Sequence, residues 1–320
     1  MVDLTGRVAI VTGAGRGLGR SHAELLAALG ASVVVNDLGT DVRGAGADPG
    51  PAVAAAERII AAGNTALANT DDIGTETGGQ SVVDAALEAF GRLDIVVFNA
   101  GIVANQPFGA TPVQDVLRSI QTNLLSLWFV GQPAWGQMLA DRYGRMVLTS
   151  SAAFYGHPFA SPYAAAKGGM GAAARSLAQE AEELGVDIKV NGIVPSASTR
   201  TGRESQRRRW QGLLSAAEVS PLVACLAAAE CPVNGELLHV GGTLVARAVW
   251  GQSHGWAKGE GGLTVDEVLA RLPDIARETD IEVPRNTNDS TDLCYTRVTG
   301  RTDRLPADDI IGGMEVEEGH

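Results

Sequence analysis

The sequence predicts an α/β protein, a doubly wound parallel sheet of seven strands flanked by helices and followed by a C-terminal extension. Three observations lead there. Apolar runs without alternation recur up to Val240, beginning with Val8-Ala-Ile-Val11, as in strands buried on both faces. Segments of helical periodicity lie between them. A glycine-rich turn, Thr12-Gly-Ala-Gly-Arg-Gly-Leu-Gly19, joins the first strand to the first helix.

After that turn, Leu18, His22, Leu25, Leu26 and Leu29 recur at helical spacing. The order strand, glycine turn, helix is the setting in which a helix N-terminus cradles a pyrophosphate. Gly13, Gly17 and Gly19, with Arg16 and Leu18 between them, are therefore candidate cofactor residues. Ser32 to Asp37 is the second strand. A carboxylate at its end, Asp37, bonds the ribose hydroxyls of NAD and repels the extra phosphate of NADP. Arg16 argues the other way, but an uncompensated carboxylate beside a phosphate outweighs one exposed arginine. NAD is the expected cofactor and NADP the less favoured one; the bland alternative for Asp37 is a plain turn residue.

Residues 39 to 50 form a glycine-rich loop longer than most strand-to-helix connections. Ala52 to Ala62 reads as a helix and Thr65 to Asp71 as a strand leading into Asp72-Ile73. Ser81 to Phe90 is helical, and Asp94 to Phe98 is a strand ended by Asn99-Ala-Gly101. Thr111 to Tyr143 holds a long helix carrying Asn123. Arg145 to Thr149 is the fifth strand and runs into Ser150-Ser151. Ser161 is a good N-cap and Pro162 suits the first helical position, so a helix starts just before Tyr163 and reaches about Glu183. Gly168, Gly169 and Gly171 inside it imply a closely packed backbone, a subunit's among the candidates. Asp187 to Val194 and Glu236 to Val240 complete the seven strands. Past Gly242 the pattern changes. Thr264 to Leu272 is a short helix, and beyond Ile281 the chain is polar and nearly aperiodic.

The chain has 320 residues, 45% of them apolar, enough for one large core. A net charge of −12 argues against a nucleic-acid partner. Cys225, Cys231 and Cys294 lack metal-ligand spacing and read as small apolar residues in a reducing compartment. No metal is expected. Neither a signal peptide nor a membrane-spanning run is seen, so the expected location is cytoplasmic.

Tyr163 and Lys167 stand four apart on one helix face. An ammonium near a phenol favours the phenolate, so the pair predicts a tyrosine lowered toward neutrality and able to exchange a proton. By itself such a pair is usually a solvated helix edge.

Thr12 to Gly19, Asn99-Ala-Gly101, Asn123, Ser150 and Tyr163 through Lys167, in this order and spacing, resemble the short-chain dehydrogenase/reductase family over residues 5 to 245. Within it, Val33-Val-Val-Asn-Asp-Leu-Gly39, the long loop, Ala68-Asn-Thr-Asp71 and Phe90-Gly-Arg-Leu-Asp94 resemble the (3R)-hydroxyacyl-CoA dehydrogenase module of peroxisomal multifunctional enzymes and its actinobacterial relatives. The resemblance implies a Rossmann-type fold and an NAD-dependent oxidoreductase that interconverts a secondary alcohol and a ketone. It implies Ser150, thirteen residues before Tyr163, as the holder of the substrate oxygen, with Ser151 its competitor at twelve. Tyr163 is the implied acid/base. Lys167 lowers its pKa and binds the nicotinamide ribose, and Asn123 places a relay water. Asp37 takes the adenosine ribose and Asp72 the adenine amine, with Ile73 stacking nearby. Asn99, Ala100 and Gly101 lie beside the cofactor, and the segment after Pro195 closes over the substrate, with Thr199 and Thr201 as candidate contacts. A homodimer or homotetramer is implied.

The chain departs from that branch at its substrate-facing parts. Asn123 stands where the branch has His, Phe159-Ala-Ser-Pro162 replaces Gln-Ala-Asn, Val103-Ala-Asn105 replaces Leu-Arg-Asp, and Pro195-Ser196 replaces Pro-Gly. A (3R)-hydroxyacyl-CoA is the first substrate expectation, a steroid, terpene or other hydrophobic alcohol the second, and a catalytically silent NAD-binding protein the rival class. Arg203, Arg207, Arg208 and Arg209 beside Trp210 read either as a clamp for a CoA thioester or, slightly favoured, as a solvated lid helix. His157 reads as a surface loop residue. The expected organisation is an NAD-binding domain over 1–245 with a lid near 196–215, an extension over 246–281 packing on the domain or a neighbouring subunit, and a polar tail over 282–320.

Overall fold

A computed structural model describes residues 2–198, 214–258 and 261–300. The chain separates into two units, one up to Ala248 and one from Val249 onward. The first unit is built on one sheet of order β3-β2-β1-β4-β5-β6-β7-β8. Its strands are β1 (Val8–Thr12), β2 (Ser32–Asn36), β3 (Ala66–Asn69), β4 (Ile95–Phe98), β5 (Tyr143–Thr149), β6 (Asp187–Pro195), β7 (Leu237–Gly241) and β8 (Leu244–Arg247). All neighbours pair in parallel except β7 and β8. The expected seven strands are all present. The count is corrected to eight, because Leu244–Arg247 folds back on β7 as an antiparallel edge after a tight turn at Gly242, whose φ is +55°.

Period-two geometry explains why the strands read as continuous apolar runs. In β1, Ala9 and Val11 face one layer while Val8 and Ile10 face the other. The first layer is covered by α1 (Gly17–Ala28), α2 (Gly50–Ala61) and α7 (Ser220–Ala227), through Leu26, Ile59 and Val223. The second is covered by α3 (Glu76–Phe90), α5 (Ser126–Ala140) and α6 (Ser161–Glu183), through Val82, Val130 and Met170. The single long helix expected between Thr111 and Tyr143 is instead α4 (Val113–Ile120), a five-residue π turn (Gln121–Leu125) and α5. Such a turn adds a residue to the helical circuit and re-aims the side chains on it. Gly169 of α6 packs here, since a Cβ at that position would lie 3.0 Å from the side chain of Leu124. Close packing within the chain itself therefore accounts for this glycine.

The base of the sheet, where β1, β4, β5 and β6 begin, is tied by charge. Asp94 accepts hydrogen bonds from Arg7 at 2.7 Å, from Arg92 at 2.6 and 2.8 Å, and from the Val8 amide at 2.9 Å. Burial opposes its ionisation, but Arg92, the Val8 amide and Arg7 together hold the carboxyl below the usual range. The Tyr143 ring lies between the guanidinium groups of Arg7 and Arg145, 3.8 and 4.3 Å from its centroid. Arg145, wholly buried, spends its donors on Asp187 and on the carbonyls of Gly144, Ala228 and Ala229.

The second unit holds α8 (Val265–Ile275), which starts at a Thr264–Glu267 capping box, and α9 (Thr287–Thr299), capped by Asn286 and ended by a left-handed Gly300. Two short strands, β9 (Gln252–Ser253) and β10 (Ile281–Glu282), pair antiparallel. A helix thus occupies Thr287–Thr299, where the sequence reads as an aperiodic tail. No helix among the described residues is long and apolar enough to cross a membrane.

Replacing Asp94 by Asn strands two arginines around a buried site. Urea titration at pH 7 should show a loss of about 2–4 kcal/mol. Because the folded pKa is depressed, the carboxylate's contribution is present above the unfolded value and fades as pH falls through the folded one. Parent and variant should therefore converge in acid.

Candidate active site

The order of the sheet reverses direction on either side of β1, with β2 and β3 to one side and β4 onward to the other. In such sheets a crevice opens beyond the carboxyl ends of the strands at this switch point. Here it is a cleft of about 790 Å³, running from the glycine turn past Asp37, Asp72 and Ile73 to Tyr163, Lys167 and Pro195. A nicotinamide dinucleotide fits its fabric. Arg16, the N-cap of α1, makes no side-chain capping bond, so the first-turn amides stay available to an anion. Gly17 has φ +55° with open space where a Cβ would stand. Gly13 is pressed on β4's exit, since its Cβ would lie 2.7 Å from Ala100 Cα. Gly19 does not line the cleft. Its Cβ would meet the Gly13 carbonyl oxygen at 2.3 Å, so it serves the close approach of turn and helix.

Asp37 sits in the cleft with both oxygens engaged. One accepts from the Gly15 amide at 2.8 Å and the other from the Gly39 amide at 2.7 Å. Arg16 reaches Asp48 only at 3.8 Å. Asp72 caps its own turn by accepting from the Gly74 amide at 2.9 Å. Asn99 donates to the carbonyls of Thr12 and Gly13, and the Thr12 hydroxyl accepts from the amides of Asn99 and Ala100. These bonds staple the end of β4 to the glycine turn, and the sequence reading omits Thr12 from them.

Lys167 is buried, and its Nζ donates to the Thr149 carbonyl at 2.7 Å. Burial lowers its pKa from 10.5 to about 8. The ammonium lies 5.8 Å from the centroid of the Tyr163 ring. The Tyr163 phenol is raised rather than lowered, because loss of solvent outweighs the bond from Ser151 that favours the phenolate. That corrects the sequence expectation for these protein groups: the charge that was to lower the phenol is itself weakened by burial and tied to β5.

The two serines have different partners. Ser150 is buried, and its hydroxyl donates to the Lys167 carbonyl at 2.7 Å. Ser151 is the serine whose hydroxyl bonds the Tyr163 phenol, while also accepting from the Ala153 amide at 3.2 Å. The resemblance implies Ser150, thirteen residues before Tyr163; here the bond to the phenol comes from Ser151, which caps the short 3-10 turn Ala152–Tyr155. Helix α6 begins one residue earlier than expected, with Ala160 as N-cap and Ser161-Pro162 inside its first turn.

Asn123, on the π turn, does not line the cleft. Its Oδ1 accepts from the Ile102 amide at 3.1 Å, and its Nδ2 donates to the carbonyls of Ile102 at 3.0 Å and Ser119 at 2.9 Å. A Cβ on Gly101 would lie 3.0 Å from Asn123 Oδ1 and 3.6 Å from Lys167 Nζ, so the glycine keeps the space between them open. His157 lines the cleft and is tied locally, with Nδ1 2.8 Å from the Pro158 carbonyl oxygen. Phe159 is left-handed, with φ +66°, and its carbonyl accepts from the Gln106 amide at 2.7 Å. Thr199, Thr201, Arg203, Arg207, Arg208, Arg209 and Trp210 lie outside the described residues, as does most of the expected lid.

The family described as short chain dehydrogenase matches residues 7–212. The peroxisomal multifunctional enzyme type 2 of Mus musculus is 36% identical over 251 residues, 78% of this chain and 34% of that enzyme, so the chain spans about a third of this relative's length. The 3-oxoacyl-(acyl-carrier-protein) reductase of Escherichia coli is 31% identical over 254 residues, 75% of this chain and 98% of the reductase. The crystal structure of a short chain dehydrogenase from Mycobacterium avium, 31% identical, superposes with a TM-score of 0.72 over 86% of this chain and 96% of that one.

The buried Lys167 yields a stability test. Its folded pKa of about 8 lies below the unfolded value of 10.5, so holding the ammonium inside destabilises the fold. The cost is fully present below pH 8 and disappears as pH rises toward the unfolded value. Lys167→Met should gain roughly 1–3 kcal/mol at pH 7, and calorimetry should show that gain shrinking by about pH 10.

Proposed function

The chain belongs to the short-chain dehydrogenase family of oxidoreductases, whose members bind a nicotinamide cofactor, and on that premise we propose that it interconverts a secondary alcohol and a ketone with NAD. The carrying observation is the Tyr163 phenol, bonded by the Ser151 hydroxyl and set above buried Lys167, in one cleft with the glycine turn and Asp37.

The nicotinamide supplies or accepts the hydride when bound. Gly13, Gly17 and the first-turn amides of α1 would hold its pyrophosphate. Asp37 would hold the adenosine ribose, and Asp72 and Ile73 the adenine. Asn99, Ala100, Gly101, Lys167 and Pro195 would border the other end. In reduction, Tyr163 donates its proton to the ketone oxygen while Ser151 hydrogen-bonds the same oxygen. In oxidation both roles reverse. Ser150 orients α6 through the Lys167 carbonyl. Asn123 holds Ile102 in place and, across the gap kept by Gly101, stands beside Lys167, an arrangement that suits a water relay for recharging the phenol.

A β-hydroxyacyl or β-oxoacyl thioester, of CoA or a carrier protein, is the first substrate reading. The reductase from Escherichia coli, which this chain matches along nearly the whole of that enzyme's length, supports it. A hydrophobic alcohol of steroid or terpene type is the second, favoured by the exposed apolar side chains of Leu117 in the cleft wall and of Phe159 in the loop between the lining residues His157 and Ala160.

Nicotinamide absorbance with a panel of acyl thioesters and hydrophobic alcohols tests the reading; turnover of none, with NAD still bound, would support a silent binding protein. Ser151→Ala should lower kcat by about 10²–10³ while Ser150→Ala costs less and lowers the melting temperature; the opposite ranking would return the catalytic role to Ser150. Asp37→Ala should raise kcat/KM for NADP by about tenfold or more relative to NAD. A parent enzyme that already prefers NADP would reverse the weighting of Asp37 over Arg16.

A further inference from the structure

The loop from Gly39 to Asp48 has the build of a strap. Its ends are closed on each other: the Asp48 amide donates to the Leu38 carbonyl at 2.9 Å, and a Cβ on Gly39 would lie 1.8 Å from the Asp48 carbonyl oxygen. Its tip is shaped from within, since Asp41 accepts from the amides of Arg43 at 2.8 Å and Ala45 at 2.9 Å. Closed ends and internal hydrogen bonds give the loop the form of an Ω-loop, a compact surface unit that is frequently functional. The strap starts beside Asp37 on the cofactor side and forms part of the cleft wall through Thr40, Asp41, Val42 and Gly44.

Its tip reaches the other side. The Val103 amide donates to the Val42 carbonyl at 2.9 Å. Gly44, at φ +82°, is seated where a Cβ would come within 2.9 Å of Ile102 and 3.1 Å of the Arg118 stem. Among the described residues a main-chain bond and a glycine seat join strap and far wall, whereas the neck is fixed independently. Such an attachment releases at low cost while leaving the rest of the fold intact.

We propose that this loop is a closing strap that retains the dinucleotide, latched by Val42 and Val103 and opening for cofactor exchange. The inference rests on the reading of the cleft as a nicotinamide dinucleotide site. Its test is stopped-flow release of NADH, followed by NADH fluorescence during displacement with excess NAD, a measurement independent of turnover. Replacing residues 41–46 by two glycines, which spares the neck, should speed release by about tenfold or more. Val103→Pro, which deletes the donating amide, should speed it by a smaller factor, and Val103→Ala, which keeps the amide, should leave it unchanged. Parental release rates in folded strap-shortened protein would overturn the strap while leaving the cofactor reading intact. Failure of the parent protein to bind NADH at all would overturn both.

Discussion

Two hydrogen bonds of opposite direction join the end of β5 to α6, and the site depends on them. The Lys167 ammonium donates to the Thr149 carbonyl, and the Ser150 hydroxyl donates to the Lys167 carbonyl. Each bond uses a main-chain acceptor, so neither strand nor helix can rotate without losing one of them. The pair fixes how far α6 stands from the sheet, and through it where Tyr163, one turn earlier, presents its phenol. It also explains why a cation is buried at all. A lysine in this position is costly, because burial disfavours the ammonium and lowers its pKa. Functional sites retain such groups because removing the strain would remove the proton chemistry with it.

Charge at the opposite end of the sheet has another use. Arg7, Asp94, Arg92, Tyr143 and Arg145 form a partly buried cluster at the strand starts, where the guanidinium groups are matched with acceptors while the Tyr143 hydroxyl is buried without a partner among the described residues. Around Lys167 the matching is incomplete: its one hydrogen bond goes to a neutral carbonyl, and the Thr149 hydroxyl is buried without a partner among the described residues. The parallel topology separates the charge-paired strand starts from Lys167 by the length of a strand.

The sequence discloses those features that depend on steric exclusion or on periodicity. Gly13 and Gly19 are forced by atoms less than 3 Å from where a Cβ would stand, and no other residue type would fit. The fully buried strands such as β1 and β4 follow from continuous apolar runs. What spacing does not disclose is where a backbone deviates locally. The choice between Ser150 and Ser151 turns on the 3-10 turn after them, and the place of Asn123 turns on a π turn that no periodicity announces. The direction of the Tyr163 shift was equally illegible, because it is a contest between a charge, readable as a motif, and burial, which belongs to the folded chain. Leu244–Arg247 escaped notice for a simpler reason: four residues with mostly exposed side chains carry little pattern.

The two walls of the cleft are held by different means, and this bears on what can vary. On the cofactor side the positions are set by glycines and by the Thr12–Asn99 staple, where a side-chain change meets backbone atoms at once. On the substrate side, Gln106 is joined to Phe159 by a main-chain bond that any non-proline residue at 106 can make. Side chains there are free to change while the wall stays in place. Phe159 shows the limit of that freedom. A left-handed phenylalanine costs about 1 kcal/mol or more relative to glycine, and here it is kept with its ring largely exposed. An exposed aromatic ring contributes little to the core, so stability does not account for retaining it at that cost. The residue sits in the loop between His157 and Ala160, which do line the cleft, so the exposed ring is carried beside the wall where side chains are free to change.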